Sequence, residues 1–200
     1  MTDLILNPEL KKFSKNASVF KSVKSKNDLS KSDELIYDGY LIDSDEKTTR
    51  SVIASLKSKE IKLKIAVLGR DDLFNRRIIE TMKINYLVSP ENFVFHKTDT
   101  LKQRNSGLNH VIAKLAKQKN VSVLINFSDI SNLSNKSKKE KSIILAKIIQ
   151  NIKICRKAKC EIKIATFARA KSELLAQNDL RVFVFSIGMS SQQVRDSVLF

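Results

Sequence analysis

The residues with the clearest chemical meaning lie in the segment KQRNSGLNHVIAKLAK, residues 102–117. His110, Lys114 and Lys117 are spaced by four and then three residues, so on a helix they form one exposed row. Arg104 stands just ahead of that helix, where unpaired backbone N–H groups also attract phosphate. Such a row can hold an anionic backbone, and it also occurs as an ordinary solvated face. Asp71 and Asp72 could in principle serve a metal, but at a helix start they are accounted for by capping and by the helix dipole. Cys155 and Cys160, with His96 and His110 far off in sequence and no second cysteine pair, make a poor zinc site and read as a reduced pair partly in the core.

The charge points the same way as the basic row. Lys and Arg number 37 against 21 acids, a formal charge of +16 over 200 residues. A soluble chain tolerates that self-repulsion best when an anionic partner neutralises it, and nucleic acid is the first suspect. With 42% hydrophobic residues the length supports one substantial core, and a single domain over residues 1–200 is expected. No run approaches the ~20 apolar residues of a membrane span, and MTDLILNPELKK lacks the basic start and apolar run of a signal peptide. A cytoplasmic location is the expectation.

The elements that position these residues follow from periodicity. Short β-branched runs alternate with helical segments, which argues for βαβ units and a parallel sheet. Strands are expected at Leu4–Leu6, Glu34–Ile42, Ile61–Leu68, Tyr86–Val88, Val121–Phe127 and Glu161–Thr166, with a further short one at Phe93–Lys97. Helices are expected at Ser51–Lys57, Asp72–Lys83, Ser106–Gln118 and Lys138–Ala158. In the third, Ser106 reads as the N-cap, and Leu108, Val111, Ile112 and Leu115 as the buried face. In the last, Ile144, Ile148, Ile152 and Cys155 form the packing stripe, widened by Leu145 and Ile149, with Lys147, Lys153 and Lys157 pointing elsewhere. Lys11–Ser32, rich in Lys, Ser and Asn, reads as a helix followed by a loop, with residues 11–32 partly mobile. Arg181–Ile187, RVFVFSI, suits a strand by propensity and a helix by its flanking Asn178, Asp179 and Gly188.

The stretch from Arg104 to Lys114, RNSGLNHVIAK, followed by a strand of the form V-x-V-x-I-N, resembles the core segment of archaeal ribonuclease P protein component 3. That family includes the thirty-kilodalton protein subunit of the eukaryotic enzyme. IAVLGRDDLFNRRIIE (65–80), YLVSPE (86–91), NIKICRKAKCEIKIAT (151–166) and the closing NDLRVFVFSIGMSSQQVRDSV follow the family pattern in the same order. Before residue 61 the match is one of pattern only, with Asp3-Leu4-Ile5 similar to the opening strand. The resemblance implies a single-domain TIM-like (β/α) barrel related to the polymerase-and-histidinol-phosphatase superfamily, and it makes RVFVFSI a helix. After the strand KIAT the family usually carries a Ser-Gly-Ala turn, where this chain has Thr166-Phe167-Ala168-Arg169-Ala170, a departure in which Arg169 and Lys171 keep the loop basic.

The superfamily's phosphoesterases use several histidines and carboxylates to hold two or three metal ions. This chain has two histidines, neither in an H-x-H pair after the first strand, and it carries no G-x-S-x-G turn and no P-loop. The resemblance therefore implies an RNA-supporting subunit that is non-catalytic by itself, with magnesium serving the RNA and no cofactor on the protein. Its implied partners are ribonuclease P RNA, a small ferredoxin-like protein subunit and, indirectly, precursor tRNA. By position, Arg70, Arg76, Arg104, His110, Lys114, Arg156, Arg169 and Lys171 are the expected phosphate or sugar contacts. Phe93, Phe95 and Phe167 are candidates for the protein partner. The alternatives are a metal-dependent phosphoesterase of related barrel fold and an unrelated basic RNA- or DNA-binding protein.

Overall fold

The computed structural model describes residues 3–14, 16–61, 63–92, 104–132 and 137–198. Side chains alternate in and out along each extended run, and that alternation builds a barrel. The strands are β1 (Leu4–Ile5), β2 (Ser18–Val23), β3 (Gly39–Ile42), β4 (Lys64–Leu68), β5 (Tyr86–Val88), β6 (Ser122–Asn126) and β7 (Ile162–Ala165). They form a 7-stranded parallel sheet in chain order. The ring is closed by residues just past β7: Phe167 N donates to Leu4 O at 2.7 Å and Leu6 N to Ala168 O at 2.9 Å. Buried Asp3 clasps the seam, accepting from Thr166 N at 2.8 Å and from the Thr166 hydroxyl at 2.5 Å. This is the TIM-like barrel that the resemblance implies, with seven strands where the parent architecture has eight.

Leu4, Phe20, Leu41, Ala66, Val88, Leu124, Ala165 and Phe167 fill the bore. Gly39 makes room for this packing, since a Cβ there would sit 2.5 Å from the Phe20 ring. The intervening residues, among them Ile42, Val67, Leu87, Val123 and Ile164, face outward and pack under the helices. Those helices are α1 (Glu46–Ser58), α2 (Asp72–Thr81), α3 (His110–Gln118), α4 (Phe127–Ser131), α5 (Lys138–Ala158), α6 (Gln177–Ser186) and α7 (Ser191–Ser197). Asp45, Asp71, Asn109 and Ser137 cap α1, α2, α3 and α5 through side-chain oxygens, so each of these four helices starts with a residue that satisfies an orphan N–H. RVFVFSI is helical: its first six residues lie in α6 and Ile187 is the C-cap.

Several expectations change. Lys11–Ser32 contains β2, a strand inside the sheet, in place of the helix and loop. Its outer face is covered by short 3-10 turns at Lys26–Asp28 and Lys31–Leu35, so the helical period that marks the other βα units is missing. Glu34–Ile42 is strand only from Gly39, because a Ser30–Asp33 capping box starts the second of those turns. Ser106 does not cap α3, which begins four residues later under Asn109. Val111 is 61% exposed, and Ile112, Ala113 and Ala116 are the helix's buried residues. Lys147 is buried, against the expectation that it points to solvent, while Ile144, Ile148, Ile152 and Cys155 are the packing stripe as read. The Phe93–Lys97 piece lies outside the described residues.

Candidate functional site

The described parts of the β5–α3 connection, residues 89–92 and 104–109, lie at the C-terminal end of the barrel, where parallel β/α folds gather their functional groups. Gly107 takes φ 71°, and a Cβ there would lie 2.4 Å from Pro90 O and 2.7 Å from Arg70 O. Only glycine lets the loop pass between these two carbonyls. Asn75 locks the crossing: its Oδ1 accepts from Arg70 N, and its Nδ2 donates to Arg70 O and Gly107 O, each at 2.7 Å. Buried Ser106 donates to Asn151 Oδ1 at 2.7 Å, and Asn151 Nδ2 donates to Glu91 Oε2 at 3.0 Å. Burial pushes the Glu91 carboxyl up to about 7, against the opposing pull of its own backbone N–H and of Asn151.

This polar lattice holds the basic groups by their backbones. Gln150 receives Arg104 N at 3.1 Å and donates to Arg104 O at 2.8 Å, which leaves the Arg104 side chain facing solvent. His110 is the first residue of α3, and with Lys114 and Lys117 it is exposed, as the spacing requires. Asn109 caps Ile112 N at 3.0 Å and donates to Asp72 Oδ2 at 3.0 Å, tying the starts of α2 and α3 together. Asp71 caps Phe74 N at 2.9 Å. Both acids are thus used in capping and helix pairing.

Arg70 follows β4, with its guanidinium 3.4 Å from Asp43 and 5.6 Å from the centre of the Phe74 ring. Arg169 and Lys171 follow β7 on the same end of the barrel. Arg169 N donates to Glu173 at 2.7 Å, and the Lys171 ammonium sits 4.5 Å from the Phe13 ring centre. Arg76 is exposed on α2 and pairs with Glu80 at 3.6 Å. Arg156 lies apart from this group, in the last turn of α5 at the opposite end of the barrel. Its guanidinium donates to Gly188 O and, at 2.9 Å, to Gln193 Oε1. The fold therefore gathers Arg70, Arg104, His110, Arg169 and Lys171 around the C-terminal end, and carries Lys114 down the outer face of α3.

Sequence reasoning missed a polar mouth at the same end, a cavity of about 150 Å³ whose lining includes Ser22, Asn92, Asn126, Asp129, Arg169 and Glu173. Asn92 Nδ2 donates to Asp129 Oδ2 at 2.7 Å, and burial raises the Asp129 carboxyl. The signal was there in part: Asn126 ends β6, Asp129 is three residues beyond it, and both fall where a parallel barrel collects polar groups. Among the described residues, no group of three or more His, Cys, Asp and Glu side chains is placed to hold a metal ion. Phe167 is not a surface contact. It takes φ 48°, and its ring is buried in the bore. Phe93 and Phe95 lie outside the described residues.

No family model matches the chain. The resemblance read from the residues is supported by curated relatives. The chain is 27% identical over 153 residues to ribonuclease P protein component 3 of Methanococcus maripaludis, covering 76% of this chain and 60% of the relative. It is 30% identical over 110 residues to the protein of the same name from Methanocaldococcus jannaschii, covering 55% and 42%. The chain thus spans about half the length of the curated relatives it matches. In three dimensions it is similar to a chain in a cryo-EM structure of archaeal ribonuclease P with mature tRNA, with TM-score 0.72, 19% identity, and coverage of 98% of this chain and 86% of that one. At that identity the likeness speaks for the fold.

Proposed function

We propose that the chain is a protein subunit of ribonuclease P, binding and supporting the catalytic RNA as it matures the 5′ end of precursor tRNA. The observation that carries this reading is the 27% identity over 153 residues to a component 3 protein, beside the resemblance of the segment that presents Arg104 and His110. Charge of +16 supplies the general attraction, and the loop lattice supplies geometry. Arg104, His110, Lys114, Arg169, Lys171 and Arg70 contact phosphates or sugars, which position the RNA without reading its bases. Bond cleavage belongs to the RNA with its magnesium. A small ferredoxin-like protein subunit pairs with this chain, and the complex works in the cytoplasm.

Reconstitution tests the reading: catalytic RNA plus the partner subunit, with and without this chain, scored for precursor tRNA cleavage at low magnesium. Stimulation is expected, and its absence overturns the proposal. If six to ten phosphates are neutralised, affinity for the RNA falls by about 10³ to 10⁵ between 50 and 200 mM salt.

A further inference from the structure

The N-terminal end of the barrel, opposite the rim just described, carries a second surface. A groove of about 590 Å³ opens there between the C-terminal turn of α1, the entries to β4 and β5, and the turn after α3. Its floor is aliphatic, with Leu56, Ile61, Leu63 and Ile84 among the lining residues, and its rim is Lys57, Lys64, Lys83 and Lys119. No acid is among the residues that line it, and among the described residues no carboxylate forms an ion pair with any of the four lysines. The volume falls in the range of specific binding sites.

Floor and rim together restrict the occupant. A nucleic acid would satisfy the lysines but leave the floor unused, since the lining has no aromatic ring for a base to stack on and no arginine for bidentate phosphate contact. A neutral apolar molecule would fill the floor and leave four ammonium groups uncompensated. Aliphatic side chains flanked by carboxylates meet both demands, the apolar anchors entering the groove while glutamates or aspartates meet the rim.

We propose that this groove docks an acidic, leucine- or isoleucine-anchored segment of a protein partner. The docking is independent of the ribonuclease P reading, because the rim lysines are not among the RNA contacts and lie at the other end of the barrel.

The probe is a fluorescein-labelled amphipathic peptide of about 14 residues with leucines at i, i+3, i+4 and i+7 and glutamate elsewhere, titrated by anisotropy near physiological salt. It should bind at least about tenfold more tightly than versions with the leucines changed to serine or the glutamates changed to lysine. The Lys57→Glu, Lys83→Glu, Lys119→Glu triple variant should lose that preference. All three side chains are exposed, so circular dichroism should show an unchanged fold. Charge-matched Lys138→Glu, Lys139→Glu, Lys153→Glu on α5 should keep it. Equal binding of the serine version, absence of binding, or binding that survives in the first triple overturns the proposal. So does displacement of the peptide by an RNA oligonucleotide whose own binding is lost in that triple, which would assign the groove to nucleic acid. Concentration-dependent dimerisation abolished by the same triple would assign it to a second copy of this chain, with the same consequence.

Discussion

The two ends of the barrel treat polar side chains in opposite ways. At the C-terminal end, Asn75, Ser106, Asn109, Gln150 and Asn151 spend their hydrogen-bonding capacity on one another and on loop backbone, so the basic groups stand on a scaffold with little freedom. At the N-terminal end, Lys57, Lys83 and Lys119 stand around an aliphatic floor, where among the described lining residues Asn85, accepting from Ile65 N at 2.8 Å, is an isolated polar link. A rigid support favours recognition of a folded partner, because little ordering entropy remains to be lost on binding. A soft, long-stemmed lysine rim suits a partner whose own apolar residues define the register. The first half of the motif that carries the family resemblance, RNSGLN of RNSGLNHVIAK, is therefore mainly loop architecture, and exposed basic groups ride on it.

The sharpest break of this contrast is Gly107→Ala. Its Cβ would meet the backbone carbonyl oxygens of Pro90, at the start of the same connection, and of Arg70, after β4, at a positive φ, and a rotamer change can move neither aside. We expect a loss of about 3 kcal/mol in urea unfolding and, with the loop displaced, a loss of RNA affinity beyond what stability explains. A variant as stable as the parent would show that the lattice does not depend on this crossing.

Glu91→Gln tests the same lattice with the opposite sign. The Glu91 carboxyl titrates near 7 in the folded chain against 4.5 as the reference value, so the folded state holds its proton more tightly than the unfolded state does. Its favourable contribution is present below about pH 4.5 and is lost as pH rises to about 7, up to about 3 kcal/mol in all. Glutamine removes that charge while keeping an oxygen for Asn151 Nδ2. The variant should be more stable than the parent at pH 8 by about 1 to 3 kcal/mol, and the difference between the two should shrink on acidification to pH 5. A pH-independent difference would show that Glu91 does not change its charge on folding.

The contrast also explains what could be read from residues alone. α5 matched its expected bounds because apolar side chains recur every three or four residues over 21 positions and Ser137 and Glu140 close a capping box. The strands from β4 onward were legible as short apolar runs, and the helices α2, α3 and α5 that lie among them carry a clear helical period. β2 was not, since Ser18, Lys21 and Ser22 interrupt its apolar residues. Lys21 is satisfied by Asp33 at 2.9 Å, a contact twelve residues away that no local pattern announces. The basic row of α3 was visible from its spacing. The lattice below it was not, because Asn75, Asn151 and Glu91 come from three separate elements and meet only in the folded barrel. Arg156 shows the converse: it is a cation within a segment that follows the family pattern, and its guanidinium holds the α6–α7 turn.

The smallest expected effects separate the two ends most cleanly. If Arg104 and Lys114 each neutralise one phosphate, Arg104→Ala and Lys114→Ala should each reduce the slope of log affinity for the RNA against log salt by about 1, with little change in stability. Lys83→Ser, at the groove rim, should leave that slope where it is, although it removes the same formal charge. Nonspecific attraction to a chain of +16 would instead lower affinity alike for all three substitutions, because a diffuse field registers total charge and not position. A slope that fell equally in the three variants would reduce the C-terminal rim to one more part of a basic surface. A fall confined to Arg104 and Lys114 would place the RNA on the end of the barrel where the loop lattice holds its cations in register.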